Sequence, residues 1–430
     1  MDLMDFIPVK QAFGKKGEVA LRGWCSRVRA QKNAVFIILR DGSGSIQVTL
    51  KQEAVGDEAF KKASELSIES SVKITGTIVK DERSPGGYEV AARTLEVVHL
   101  AERFPIVKDK SPEFLLDVRH LWLRSEEIAN VTIVKDTLLA AAREWFAKNG
   151  FFETTPPIIS PSACEGGSTV FEIDYFGDKA YLSQSAQMYL EALIFPLEKV
   201  WSLTPSFRAE KSRTTRHLAE YWHLEAEAAW LTQKENMEVQ EKLVEYMAQT
   251  VAKQCEAQLR ALGRDPKDLL KVKAPFKRIT YDEAIEILKK KGMDVKWGDD
   301  LRTEEERVIA EGEAAPIFVM NYPAHIKAFY MKLNPDGKTV ASADLIAPEG
   351  FGEIIGGSER SEDAEYMKKR LKAEGARIKD YEWYLDLRRY GSVPHSGFGL
   401  GMERVVRWFC KLEHIRDAIP FPRTLNRFYP

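Results

Sequence analysis

Over the first hundred residues, apolar and polar positions alternate in short runs. These are GEVALRGWCSRV (17–28), AVFIILRD (34–41), SIQVTLK (45–51), SSVKITGTIVK (70–80) and GYEVAARTLEVVHL (87–100). Alternation with β-branched enrichment predicts strands, and the turns DGSG (41–44) and SPGG (84–87) punctuate them. One helical segment, 58–66, falls between the third and fourth strands, so a small antiparallel barrel is expected. Beyond residue 130 the period changes. Leu138, Leu139, Ala142, Trp145 and Phe146 share one face of a helix predicted over 134–149, which Gly150 ends. A strand-like FFETTPPIIS (151–160) follows. A further helix is predicted over 235–262, where Val239, Leu243, Met247, Val251, Cys255 and Leu259 recur near helical spacing as core positions. The stretch 104–130 is charged and holds Pro105 and Pro112, so it reads as a hinge. Residues 263–310 are charge-rich and read as a surface insertion. The expected organisation is a barrel domain over 1–103, a hinge over 104–130, and a mixed domain over 131–430 with a helical and charged insertion around 235–310.

Composition narrows the class. The chain has 430 residues, enough for two or three domains, and is 44% hydrophobic. No apolar run approaches the length of a membrane span, and MDLMDFIPVKQ at the N-terminus has no apolar signal region. Cys25, Cys164, Cys255 and Cys410 form no CxxC pair, so free thiols in a reducing cytoplasm are expected, not disulfides or zinc. The net charge of −2 gives no bulk attraction for a polyanion. A local patch does: Lys15, Lys16, Arg22, Arg27, Arg29, Lys32 and Arg40 face one acid, Glu18, within residues 15–40. Phe36 lies in the same barrel and could stack on an unpaired base, or simply belong to the barrel core, since the strand AVFII is apolar throughout. Five strands with a helix between the third and fourth match an OB-fold, an oligonucleotide-binding barrel.

Three segments of the larger domain carry candidate chemistry. FRAEKSRTTRHLAEYWHLEAEAAW (207–230) places Arg208, Glu210, Lys211, Arg213, Arg216 and His217 in a polar loop between strand-like runs. Clustered arginines suit phosphate, Glu210 could receive an exocyclic amine, and Tyr221 offers a face for a base. The plain alternative is a solvated hairpin laced by salt bridges. GFGLGMERVVRWF (397–409) alternates glycine so that a ligand can lie against bare backbone, and a helix predicted from Glu403–Arg404 favours an anion. With no βαβ unit following, this is not a Rossmann site. ADLIAPEGFGEIIGGSER (343–360) offers Asp344, Glu349 and Glu353 to Mg²⁺, or simply surface acids on a strand, and ends on Arg360.

FRAE (207–210) and GFGLGMER (397–404) resemble motifs 2 and 3 of the class II aminoacyl-tRNA synthetases. The helix 134–149 leading to Pro157 resembles motif 1. EGG (165–167), QSAQMYLEA (184–192), RHLAE (216–220) and GEIIGGSER (352–360) resemble the aspartyl, asparaginyl and lysyl subgroup. The resemblance spans nearly the whole chain. It implies an α+β protein: an N-terminal OB-fold anticodon-binding barrel, then a catalytic antiparallel sheet flanked by helices. It implies ATP as a substrate, Mg²⁺ on Asp344 and Glu353, tRNA bound at its anticodon and acceptor end, no membrane partner, and a homodimer through the motif 1 segment.

Residue by residue, the resemblance puts Arg208 on the α-phosphate, with Arg404 as the second catalytic cation. Glu210 would hold the adenine amine, His217 and Arg404 the γ-phosphate end, and Tyr221 and Arg404 the two faces of adenine. Related enzymes usually have Phe at the position of Tyr221. Arg216, Leu218, Glu353, Gly401, Met402 and Glu403 would complete the ATP site. Gly356 stands where related enzymes often have Ser. For the amino acid, Glu165 would contact the α-amino group, with Ser185 and Gln187 nearby, and Arg360 would grip the side-chain oxygen. Leu190 stands where aspartyl enzymes have Lys, and Glu225 where they tend to have Asp. FPRT (421–424) also resembles the asparaginyl members. Without the lysine a buried carboxylate is undercompensated, and Glu225 rewards an amide NH₂ while repelling a carboxylate. The implied activity is ligation of asparagine to tRNA. Ligation of aspartate, discriminating in its tRNA or not, and a tRNA-independent asparagine synthetase stay as alternatives, the barrel arguing against the last. In that barrel Phe36 would stack on the central anticodon base, with Arg29 and Gln47 hydrogen-bonding around it.

Overall fold

The computed structural model describes residues 5–106, 111–164, 169–211 and 214–430. It divides into two compact units, residues 1–115 and 116–430. In the first, β1 (Glu18–Ala30), β2 (Ala34–Asp41), β3 (Gly44–Lys51), β4 (Ser71–Lys80) and β5 (Tyr88–His99) close into a barrel of order β1-β2-β3-β5-β4. Alternation decides which side chains fill it. Val35, Ile37 and Leu39 of β2 are fully buried with Leu21, Val48 and Ile74, and the residues between them face outward. Gly23 lets β1 approach β2, since a Cβ there would lie 2.2 Å from the Arg40 carbonyl oxygen. The helix Asp57–Ser64 joins β3 to β4. The result is the expected OB-fold barrel, except that β3 and β5 pair in parallel where an antiparallel barrel was expected.

The second unit contributes β6 (Phe152–Glu153), β7 (Ile159–Ser160), β8 (Glu172–Tyr175), β9 (Asp178–Leu182), β10 (Lys199–Phe207), β11 (Glu220–Ala229), β12 (Lys277–Thr280), β13 (Ile317–Met320), β14 (Ser342–Ala347), β15 (Gly352–Glu359) and β16 (His395–Gly401). Eight of these form one sheet in the order β12-β13-β14-β15-β16-β11-β10-β6, while β7, β9 and β8 pair separately. The interior of the large sheet is antiparallel, and the edge strands β12 and β6 run parallel to their neighbours. Among the described residues, no helix is long and apolar enough to cross a membrane.

Several elements differ from the sequence-based expectation. The first long helix spans Glu126–Lys148, not 134–149. Ser125 caps it by accepting from Ile128 N–H, and Glu126 and Glu127 sit in its first turn. The β-branched run at 131–134 hid those opening turns. Within the stretch expected as a hinge, Pro112–Asp117 and Arg119–Trp122 are also helical. There the buried Arg119 donates to the carbonyls of Arg416, Ile419 and Pro420. The helix expected over 235–262 runs Gln233–Gln254 and resumes as Glu256–Ala261 after a break at Cys255. FFETTPPIIS yields only the two-residue strands β6 and β7, because Pro156 and Pro157 interrupt it. The charged segment 263–310 is more than a surface addition. It supplies β12, and Tyr281, Ala284, Ile285 and Leu288 enter a buried cluster.

The main core of this unit packs the helices Glu126–Lys148 and Gln233–Gln254 on the sheet. Phe146 is fully buried and stacks on Trp201 at 4.6 Å between ring centroids. Phe146→Ala should lower the stability of this unit by about 3–5 kcal/mol. Urea unfolding followed by tryptophan fluorescence checks this, and a shift below about 1 kcal/mol would show a site able to collapse around the loss.

Candidate active site

Register builds the site. Glu225 of β11, Gly399 of β16 and Gly356 of β15 lie in one row across the sheet, and Glu227, Gly397 and Ser358 lie in the next. Above them a cavity of about 790 Å³ opens. That is within the range of nucleotide-sized ligand sites. Arg208, Glu210, Arg216, His217, Leu218, Tyr221, Ser185, Gln187, Glu225, Asp344, Glu353, Arg360, Gly401, Glu403 and Arg404 all line it. Three expected residues are not placed there. Leu190 is fully buried in an apolar cluster with Ala186, Ile194 and Val200. Met402 is fully buried in the main core. Glu165 lies outside the described residues. The helix after β16 begins at Met402, one residue earlier than expected.

One end of the cavity is rich in cations already matched to carboxylates. Arg216 donates to both oxygens of Glu306, at 2.5 and 3.0 Å, and Glu353 N–H donates to the same carboxylate. Arg404 Nη1 donates to the Glu353 carbonyl at 3.0 Å and lies 3.1 Å from its carboxylate. The Arg208 guanidinium sits 5.9 Å over the Tyr221 ring. Burial first, then Arg404, holds the His217 imidazole below its usual pKa. Its Nδ1 shares a 2.6 Å hydrogen bond with the Thr214 hydroxyl. Glu403 lines the cavity, but its carboxylate accepts from Lys135 at 2.5 Å and from Trp222 N–H at 2.9 Å. It ties the helix Glu126–Lys148 to β11.

The two carboxylates expected to hold a metal do converge. A Cβ at Gly356 would lie 3.4 Å from Glu353 Oε1 and 3.7 Å from Asp344 Oδ1. Burial raises the Asp344 pKa to about 6, with the Glu353 charge adding and Lys327 opposing. Glu353 is held at about 2 because Arg404, Lys327, Arg216 and Arg208 outweigh its burial. Lys327 Nζ donates to Asp344 Oδ2 at 2.5 Å. Glu349 does not join them. It sits at the β14–β15 turn with a positive φ, and Arg264 binds both its oxygens at 2.6 and 2.7 Å.

Buried polar groups fill the other end. Glu225 accepts from the Ser185 hydroxyl and from Ala186 N–H at 2.7 Å. Arg360 donates from Nε to Glu227 at 3.2 Å, from Nη2 to the same carboxylate, and from Nη1 to Ser358 at 2.7 Å. Glu191, fully buried, accepts from Gln187 at 2.9 Å, from the Tyr384 hydroxyl at 2.6 Å and from Arg388 at 2.5 Å, and lies 3.0 Å from His395 Nε2. Glu191, Glu227, Glu306, Lys327, Arg388 and His395 were all missed from the sequence. Glu191 alone left a signal, as one carboxylate inside the apolar run MYLEALIF. In the barrel, Arg29 and Phe36 are partners across β1 and β2 on the outer face. Gln47 is on the same side of β3, its amide held by Ser84 and Glu89.

An antiparallel sheet carrying a cation-lined cavity over glycine backbone, in a chain that also has an OB-fold unit, defines a class II aminoacyl-tRNA synthetase. Residues 111–425 match the tRNA synthetases class II (D, K and N), and residues 19–98 match the OB-fold nucleic acid binding domain. The chain belongs to that class II family. It is 55% identical over 413 residues to the asparagine–tRNA ligase of Thermococcus gammatolerans, covering 96% of each. It is 45% identical to that of Thermoplasma acidophilum, covering 99% of each. The crystal structure of asparaginyl-tRNA synthetase from Pyrococcus horikoshii complexed with asparaginyl-adenylate superposes with a TM-score of 0.96, at 50% identity, covering all of both chains.

Glu306 binds no expected ligand yet holds Arg216 in the cavity wall. Glu306→Gln should raise the KM for ATP by roughly tenfold and leave the KM for the amino acid within about twofold. Equal changes in both constants would reduce Glu306 to a general fold contact.

Proposed function

We propose that this chain is an asparagine–tRNA ligase. It activates L-asparagine with ATP, giving asparaginyl-adenylate and pyrophosphate, and passes the asparaginyl group to the 3′-terminal ribose of tRNA. The likeness to asparagine–tRNA ligases over nearly the full length supports the reaction. The observation that carries the choice of amino acid is Glu225 on the cavity wall, an acceptor suited to an amide NH₂ and repelling to a carboxylate. Leu190 supports the choice less directly than its position in the sequence suggested, since its side chain is turned into an apolar cluster.

In the first step a carboxylate oxygen of asparagine attacks the α-phosphorus. The bond to the bridging oxygen breaks and pyrophosphate leaves with its electrons. No side chain forms a covalent intermediate. Arg208 stabilises charge at the α-phosphate, and His217 and Arg404 hold the far phosphates. Tyr221 and Arg404 enclose adenine, and Glu210 takes its amine. Arg360 orients the side-chain oxygen of asparagine, with Ser185 and Gln187 shaping that end. Catalysis is positioning plus charge neutralisation. Mg²⁺ fits Asp344 and Glu353, since two mutually repelling carboxylates flank the open space over Gly356. It supplies positive charge to the polyphosphate when bound.

In this reading residues 1–103 bind the anticodon, 104–130 connect, and 131–430 carry catalysis. The enzyme works as a homodimer through the motif 1 segment, 134–157, in which Phe152 is an exposed apolar side chain and which exposed Ile133 and Ile159 flank. Light scattering showing monomer alone at micromolar concentration would refute that assembly. Among the described residues no disulfide joins the four buried cysteines, which suits a cytoplasmic location.

Pyrophosphate exchange with each of the twenty amino acids tests the reaction, with asparagine expected to give the highest kcat/KM. Arg208→Lys should leave asparagine affinity nearly intact and slow exchange by roughly 10²-fold or more. An unchanged rate would remove Arg208 from the mechanism. For the barrel, Phe36→Ala should lower tRNA charging by about tenfold, since base stacking is worth about 1–3 kcal/mol, and leave exchange untouched. Loss of exchange in a folded Phe36→Ala protein would contradict this division of labour.

A further inference from the structure

Between Phe207 of β10 and Glu220 of β11 the chain leaves the sheet, and this excursion carries Arg216 and His217. A segment near the C-terminal end of the chain supports it. Ile415 N–H donates to the Thr215 carbonyl at 2.9 Å, and Ala219 N–H donates to the Arg423 carbonyl at 2.8 Å. Leu218, Ile415 and Ile419 form a small buried cluster, against which Tyr221 packs. Ile415 also lines the cavity. The short 3₁₀ turn Ile415–Ala418 thus forms part of the wall at the nucleotide end, and Arg119 supports it in turn. That side chain is 1% exposed. It donates from Nε to the Pro420 carbonyl at 2.8 Å, from Nη2 to those of Ile419 at 2.9 Å and Arg416 at 3.2 Å, and from Nη1 to the Asp417 carboxylate at 3.3 Å. The Trp122 ring covers the guanidinium at 4.6 Å. A planar fork can serve several carbonyls spread along a turn, where the point charge of a lysine cannot.

We propose that Arg119 is a positioning residue for ATP: it clamps the turn at 415–420, and that turn holds the loop and the strand start that present His217 and Tyr221. This rests on the reading of the cavity as an ATP site. Arg119 does not itself line the cavity, so it acts through the turn. The chain of contacts is short. The guanidinium fixes the backbone from Arg416 to Pro420, Ile415 and Ile419 carry Leu218 and Tyr221, and the bond to Thr215 sets the loop just before His217. Removing the guanidinium takes the donor away from three backbone carbonyls, and water must enter or the turn must shift to satisfy them. A shift of about 1 Å in a segment that positions substrate can cost roughly 10²-fold in rate. The amino-acid end is anchored by other contacts, Arg360 with Glu227 and Arg388 with Glu191, so the effect should fall on one substrate alone.

The test is full-length Arg119→Met, which keeps an unbranched side chain and removes every donor. Pyrophosphate exchange with asparagine gives a KM for each substrate. The KM for ATP should rise by roughly tenfold or more, and the KM for asparagine should stay within about twofold of wild type. Equilibrium titration with ATP alone should show the same loss of affinity. A purely structural role would lower the urea midpoint and the fraction of active enzyme while the two KM values stay unchanged or rise together, and either result overturns the proposal. Should Arg119→Met not fold, Asp417→Asn decides. It weakens one acceptor of Arg119 and leaves the bonds to the backbone in place. The KM for ATP should then rise by about threefold against an unmoved KM for asparagine, and an unchanged KM for ATP overturns the proposal. A wild type that shows no exchange with any amino acid would sink the ATP-site reading instead.

Discussion

Gly397 and Gly399 remove the side chains from the middle of the sheet, and buried charge takes their place. Side chains of β11 occupy the space: a Cβ at Gly399 would lie 2.4 Å from His223 Nε2, as one at Gly397 would strike Glu227. The row of glycines was read as bare backbone for a ligand; Gly399 and Gly401 do border the cavity, although the space over Gly399 is shared with His223. At Gly397 the same feature has another cause. A carboxylate so buried requires a partner, and Arg360, the residue after β15, gives two hydrogen bonds to it. Arg360 is thereby fixed in position before any substrate arrives. Glu191, Arg388, Tyr384 and His395 form the layer behind it, joining the helix Gln187–Leu197, the helix Glu382–Arg389 and β16.

The nucleotide end follows the same logic with a different outcome. Arg216 with Glu306, Arg404 with Glu353 and Lys327 with Asp344 are pairs at this end of the cavity. These pairs keep the cations in place and limit repulsion among them. A polyphosphate entering this end would compete for arginines that already point inward, so little rearrangement is needed when charge shifts during reaction. Glu306 comes from the charged segment 263–310. That segment was read as a surface insertion, yet Glu306, the third residue of its acidic run at 304–306, is buried against Arg216.

The local pattern made the barrel legible almost to the residue, because each strand has one wet face and one dry face. The site was legible where its chemistry is clustered in sequence, at 207–221 and 397–404. It was not legible where a charge is recruited singly from a distant element. Lys327 stands in HIKAFYM with no periodic signal, and Glu227 stands in EAEAA, which reads as an ordinary strand. Leu190 shows the opposite error. The helix begins at Gln187, and Leu190 shares an apolar face with Ala186 and Ile194 at spacing of four residues. Helical periodicity alone assigns it to the core, whereas alignment to a lysine in related enzymes drew it toward the substrate.

That error bears on how one scaffold can serve aspartate and asparagine. If selectivity were a single cation present or absent at the pocket edge, the rest of the charge network would be common to both enzymes and indifferent to the choice. In this chain the charged wall involves more positions than Leu190. Glu225, Glu227 and Glu191 place three buried carboxylates near Arg360 and Arg388, with His395 Nε2 3.0 Å from Glu191 and His223 Nδ1 3.4 Å from Glu225. A neutral amide can hydrogen-bond to both signs of that surface, accepting from Arg360 and donating to Glu225, while a carboxylate can satisfy just one of them. The narrow glycine strand admits Glu227, and Glu227 in turn holds Arg360 in the cavity wall.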